Sequence, residues 1–218
     1  MRIAVFVSGG GTNLQAIIDR ISSGDLHNVE ISLVISSSET AFAIERSARH
    51  NIPCVVIRRK DYCDLESYDR AMLDALETVN SDLIVLAGFL SLLGQGVVRA
   101  FENRIINIHP SLIPSFCGPG MYGIRPHVAA LQKGVKVSGA TVHFVTEEYD
   151  EGPILLQRCI DVLQEDTPET LQQRIMIECE QVILPLAISL IADGRVCIDN
   201  KKAFILPVRQ QEDGGKYD

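Results

Sequence analysis

The chain has 218 residues, of which 46% are hydrophobic, so it can bury a substantial core as one large domain or two small ones. Its formal charge of −8 at pH 7 argues against a general nucleic-acid-binding surface, while a local pocket for a single phosphate stays open. The apolar start runs into glycine too soon for a secretory signal, and no later apolar run reads as a membrane span of ~20 residues, so a cytoplasmic chain without nucleic-acid or membrane partners is expected. Six cysteines (Cys54, Cys63, Cys117, Cys159, Cys179, Cys197) form no CxxC pair and no metal-ligand spacing. Free, mostly buried thiols are therefore expected, with no disulfide and no metal site.

In chain order, β-type apolar runs fall near 2–7, 30–36, 53–57, 82–87, 104–109, 138–145 and 154–161. Helical periodicity falls near 12–23, 40–50, 64–80, 125–133 and 168–193, and a short hairpin follows about Asn200. Alternation of strand and helix predicts a single doubly wound α/β domain, a mostly parallel sheet with helices on both faces. In the last helix Thr167 suits the cap and Pro168 the first helical position. Leu171, Ile175, Cys179, Ile183 and Leu190 make its apolar stripe, and Pro185 predicts a kink.

The first strand meets "SGGGTNLQAII", a glycine turn opening a helix. Free N–H groups and the positive end of the helix dipole make Gly9 to Asn13 a candidate phosphate site. Leu14 stands where GxGxxG needs glycine, and no Gly-Lys-Ser/Thr follows, so a monophosphate fits better than a dinucleotide or ATP. A turn that is merely tight is the competing reading.

The stretch "RIINIHPSLIPSF" reads as a buried strand, yet it carries Asn107 and His109. Alternation sets Ile106 and Ile108 on one face and the two polar residues on the other, their Cα atoms roughly 6.5 Å apart. Pro110 has no N–H and ends the ladder, so the pair lies at a C-terminal strand end, where open α/β sheets bind ligands. Asn107 cannot titrate and can only donate or position; His109 can also carry a proton. Further on, "SGATVHFVTEEYDEGPIL" runs from a strand into an acidic loop holding Asp150. Taken alone, Asp150 reads as a solvated turn residue and His143 as a packed one.

Taken in order, SGGGTNLQAII, LAGFLSLL, NIHPSLIPSF and GATVHFVTEEYDEGP give the chain a resemblance, over residues 1–206, to the phosphoribosylglycinamide formyltransferase family, folate-dependent enzymes of purine biosynthesis. The resemblance implies their Rossmann-like fold in one domain, with a mononucleotide half at about 1–100 and a folate and catalytic half at about 101–206. Residues 207–218 lie beyond it as a tail expected to be flexible. It also implies formyl transfer from 10-formyltetrahydrofolate to glycinamide ribonucleotide, small-molecule substrates only, and a monomer or homodimer.

By resemblance, Asn107, His109 and Asp150 are catalytic; Gly11, Thr12 and Asn13 hold the substrate phosphate, and Glu180 its ribose. The folate pocket would comprise Leu65, Leu90, Ser91, Leu92, Leu93, Asn107, Val145, Thr146, Glu147 and Glu148. Asp150 is then expected to keep the imidazole of His109 charged and aligned. Two departures stand out. The segment "SFCGPGMYGIRPHVAALQKG" is longer than in many members, and Leu65 replaces a cation that some members offer the folate carboxylate, leaving Arg58, Arg59 or Lys60 to compensate. Methionyl-tRNA formyltransferase and formyltetrahydrofolate hydrolase share part of this pattern but normally add a domain for which 218 residues leave no room. A silent mononucleotide-binding module would not need Asn107, His109 and Asp150 together.

Overall fold

The computed structural model describes residues 1–207, so the tail expected to be flexible falls, beyond Pro207, outside the described residues. Seven strands form one sheet: β1 (Arg2–Val7), β2 (Glu30–Ser36), β3 (Cys54–Val56), β4 (Leu83–Leu86), β5 (Ile105–His109), β6 (Val137–Phe144) and β7 (Ile154–Asp161). Their order is β3-β2-β1-β4-β5-β6-β7. The pairings from β3 through β5 are parallel, while β6 runs antiparallel to both β5 and β7.

Alternation along the strands divides the core in two. Ile3, Val5 and Val7 of β1, Ile106 and Ile108 of β5, and Val142 of β6 face α1 (Thr12–Ser22), α2 (Phe42–Arg49), α5 (Arg125–Lys133) and the last long helix. Ala4, Phe6, Ile84 and Ile105 face α3 (Leu65–Thr78) and α4 (Gln95–Ala100) on the opposite side. The chain leaves β1 toward one face and β4 toward the other, so a crevice opens between these neighbours at their C-terminal ends. Leu90 N–H crosses that crevice to donate to Ser8 Oγ at 2.7 Å.

The long helix begins as predicted, with the Thr167 side chain accepting from Thr170 N–H and Pro168 in the first turn. All five stripe residues are buried. Its irregularity lies earlier than Pro185: α6 (Pro168–Ile175) passes through a π turn (Met176–Glu180) into α7 (Gln181–Ala192). The proline ring crowds the carbonyl four residues before it, that of Gln181, so the widened turn directly precedes the strained point. Contrary to the sequence expectation, Pro168–Ala192 is long and apolar enough, by length and composition alone, to cross a membrane; here its stripe covers the sheet.

A hairpin of β8 (Val196–Asp199) and β9 (Lys202–Ile205) follows, with Asn200 and Lys201 both at positive φ in its turn. Helix α4 was not predicted, because glycines at 94 and 96 give that stretch a poor helical propensity. The cysteine expectation also needs correcting. All six are free, but only Cys179 is buried; Cys63, Cys159 and Cys197 are exposed and Cys54 and Cys117 half-buried. Cys159 sits on edge strand β7 and Cys197 on the outer hairpin, both at exposed positions.

Candidate active site

Strand β5 delivers Asn107 and His109 as its alternation predicts. It is held on one side by β4 and on the other by β6, where Asn107 stands opposite His143 and His109 opposite Thr141. Asn107 Nδ2 lies 3.1 Å from His143 Nε2. Phe144 O, 3.0 Å from His143 Nδ1, can only accept, so Nδ1–H donates to it and Nε2 is the nitrogen turned toward Asn107. His143 is thus a buried residue packed behind the pair, as the sequence suggested, but one touching Asn107 directly.

The same logic fixes His109. Its Nε2 is 3.1 Å from Phe116 O, so Nε2–H donates there and Nδ1 is left to take a proton. Phe116 is brought back by Ser111, whose hydroxyl donates to Ser115 O at 2.6 Å and to Phe116 O at 3.2 Å. Ser111 O in turn accepts from Thr141 Oγ1 at 2.7 Å.

Asp150 arrives on the loop between β6 and β7 in the left-handed region, at φ 54°. The loop closes sharply because a side chain at Gly152 would run into the carbonyl of Phe144, whose N–H donates to Pro153 O at 2.9 Å. Asp150 Oδ2 accepts from Gly118 N–H at 2.7 Å and lies 3.7 Å from His109 Nδ1, while Oδ1 lies 3.5 Å from His143 Nε2. Burial alone would raise this carboxyl's pKa, but His143, the Gly118 N–H and His109 together hold it below its ordinary value.

Opposing influences act on the His109 imidazole, which Asp150 was expected to keep charged. Burial pushes the imidazole below its ordinary pKa, and it prevails over the Phe116 carbonyl and Asp150, which pull the other way. At 3.7 Å Asp150 makes no direct hydrogen bond to His109 Nδ1 that would offset the desolvation.

A cavity of about 290 Å³ covers these groups. Of the residues assigned to a folate pocket, Leu90, Ser91, Leu92, Leu93, Asn107, Val145, Thr146, Glu147 and Glu148 all line it, beside Asn107, His109 and Asp150. Leu90 and Leu92 are 60% and 48% exposed, large apolar side chains left uncovered inside a cleft. Leu65 does not line it, because it opens α3 outside the cavity wall. Among the proposed compensating cations, Arg58 is bound to Glu39 and Asp61, and Arg59 donates to Tyr62 O at 2.8 Å. Tyr149, within the loop from Val145 to Asp150 matched to the folate pocket, lines the cavity too; Phe89, Met121 and Tyr122 also line it and were not anticipated, since as loop apolar residues they carried no periodic signal.

The glycine turn lies at the neighbouring strand end. Gly11 has φ 68° and precedes α1 as its cap. A Cβ there would sit 2.7 Å from Ala43 Cβ, so Gly11 is required by helix α2 rather than by room for a ligand; Gly9 and Gly10 face open space. Asn13 Nδ2 donates to Glu180 Oε2 at 2.7 Å, joining two predicted residues across 167 positions. The π turn places Glu180 there. Asn13 Oδ1 is buried and accepts no hydrogen bond among the described residues. Burial raises the Glu180 pKa, opposed only in part by the Asn13 donor. Thr12 lines a second cleft of about 360 Å³, shared with Gln15, Arg46 and Gln181.

The sequence matches the formyl transferase family over residues 1–188. It is 39% identical to the trifunctional purine biosynthetic protein adenosine-3 of Chironomus tentans, over 92% of this chain but 14% of that protein. It is also 39% identical to the chloroplastic phosphoribosylglycinamide formyltransferase of Arabidopsis thaliana, over 81% of this chain and 61% of that protein. The fold superposes on glycinamide ribonucleotide transformylase 1 from Symbiobacterium toebii with a TM-score of 0.89 and 42% identity, covering 95% of this chain and 94% of that one. With a match over most of its length and a shared fold, the chain belongs to the formyl transferase family.

Proposed function

We propose that the protein transfers a formyl group from 10-formyltetrahydrofolate to the primary amine of glycinamide ribonucleotide, giving formylglycinamide ribonucleotide and tetrahydrofolate. One observation carries the reading: Asn107, His109 and Asp150 meet in a cavity that also exposes Leu90 and Leu92. A flat, largely apolar ring needs such walls with a few fixed polar groups.

The chemistry follows from the groups. Attack of the amine on the formyl carbon turns its carbonyl oxygen negative. Asn107, held by His143, presents its remaining amide N–H to that oxygen, and a preorganised donor of this kind is worth roughly 3–4 kcal/mol. His109, neutral and free at Nδ1, takes the proton that the amine sheds. The imidazolium so formed faces Asp150, which stabilises it until the proton passes to the departing N10 of the folate. No covalent enzyme intermediate and no metal enter this route. The substrate's phosphate would lie on the N–H groups of the turn ending in Gly11, Thr12 and Asn13, and its ribose hydroxyls would meet Glu180 and the unpartnered Asn13 Oδ1.

The test is to mix the purified protein with 10-formyltetrahydrofolate and glycinamide ribonucleotide and to follow deformylated folate. Turnover that depends on the ribonucleotide is expected. Formate released without it would make the protein a hydrolase, and no turnover at all would make it a silent binding module.

A further inference from the structure

Helix α4 has little reason of its own to exist. It is six residues long, its cap is Gly94, Gly96 lies in its first turn, and no side chain of its own caps it. Yet it follows directly on the loop carrying Leu90 to Leu93 into the cavity, and its own Gln95 and Val98 complete that wall. Something outside the helix holds its start.

That group is Asp69 of α3, which is only 6% exposed. Its Oδ1 accepts from Gly94 N–H and its Oδ2 from Gly96 N–H, each at 2.9 Å. Both carboxylate oxygens are engaged by backbone donors at a helix start, a strong arrangement for a buried anion. The two glycines make the approach possible. A Cβ on Gly94 would collide with the carboxylate, and one on Gly96 would sit 2.9 Å from Oδ2. At its other end the loop is tied by Leu90 N–H to Ser8 Oγ, itself 2.6 Å from Ser37 Oγ. Between these anchors Leu90 and Leu92 remain exposed, while Leu93 is buried beneath them.

We propose that Asp69 is a positioning residue for the folate cleft: it fixes the start of α4 and so the shape in which the loop offers Leu90 and Leu92 to the ring of the co-substrate. The inference rests on the folate reading of this cavity. It assigns Asp69 no contact with substrate and no part in the proton transfer.

The experiment compares wild-type protein with Asp69→Asn and Gly96→Ala. Asparagine keeps the size but offers one acceptor and one NH₂ group, which would confront a glycine N–H donor to donor. Alanine at 96 leaves the carboxylate intact and pushes it away. For both variants we expect the KM for 10-formyltetrahydrofolate to rise about tenfold, with the ribonucleotide KM and kcat little changed. A purely structural role would reduce the fraction of active protein, lowering the apparent kcat and leaving both KM values alone; that result would overturn the proposal. If Asp69→Asn does not fold, Gly96→Ala decides alone, and an unchanged folate KM in it refutes the role. A wild-type protein that neither binds nor turns over the folate would sink the functional reading instead, so the two failures are told apart.

Discussion

The end of strand β5 and the loop between β6 and β7 supply one site by opposite means. Asn107 and His109 are locked into a ladder on both sides, so their geometry is set by the sheet. Asp150 stands on a left-handed residue in a loop, held by one N–H from Gly118 and by the close passage of Gly152 over the Phe144 carbonyl. The charges differ as well. Burial drives the strand's imidazole toward neutrality, whereas the loop's carboxyl is kept below its ordinary pKa. The amide donor and the imidazole sit on the sheet and the carboxylate on the loop. The group that must be immobile when charge develops is the donor, because a donor that has to reorganise at that moment loses much of its value.

The largest effect should come from removing the loop's charge. Asp150→Asn keeps the shape, yet kcat should fall by about 10²–10⁴, the worth of a placed acid–base group, while both substrates still bind. Adding His109→Asn should cost little more, since residues acting as one unit are not additive. A near-normal kcat in Asp150→Asn would reduce the loop to scaffolding.

Displacing the charge without removing it should cost less. Gly152→Ala forces the loop away from the Phe144 carbonyl, and a shift near 1 Å is expected to lower kcat by roughly 10²-fold, with the ribonucleotide KM unchanged. Steady-state kinetics on a variant of native circular dichroism would decide; unaltered kcat would mean that Asp150 is placed by Gly118 alone.

The smallest effect at neutral pH lies behind the strand. His127 on α5 is fully buried, neither ring nitrogen has a partner among the described residues, and burial, with His109 adding to it, lowers its pKa from 6.5 to about 4. Between those values the folded protein binds fewer protons than the unfolded chain. Stability is therefore untouched above about pH 6.5 and is lost as pH falls toward 4, by roughly 3 kcal/mol in all. His127→Leu should flatten that decline, measured by urea unfolding at pH 7 and pH 4.5. Equal acid sensitivity in both proteins would argue that the imidazole is not the cause.

The contrast also explains what could be read in advance. A strand declares its faces by alternation, so Asn107 and His109 stood out, as did the capped start of α6. His143 could be placed opposite Asn107 only once the β5–β6 register was known. The balance of influences on His109 was not legible, because sequence shows a carboxylate but neither its 3.7 Å separation nor the depth of burial. Leu65 was assigned by likeness and lies outside the cavity, and α4 went unseen because its cap, Asp69, belongs to another helix.

The strand order has a consequence for the chain as it is being synthesised. Beginning from β1, each new strand joins an edge already present: β2 and β3 on one side, then β4, β5, β6 and β7 in turn on the other. No strand has to be inserted between two that are already paired, so the sheet can grow outward as the chain leaves the ribosome, N-terminal part first. The glycine turn is made at the outset, but Asn13 waits 167 residues for Glu180, and His109 waits for the loop that brings Asp150. A nascent chain thus carries a nearly complete scaffold well before it carries a complete site.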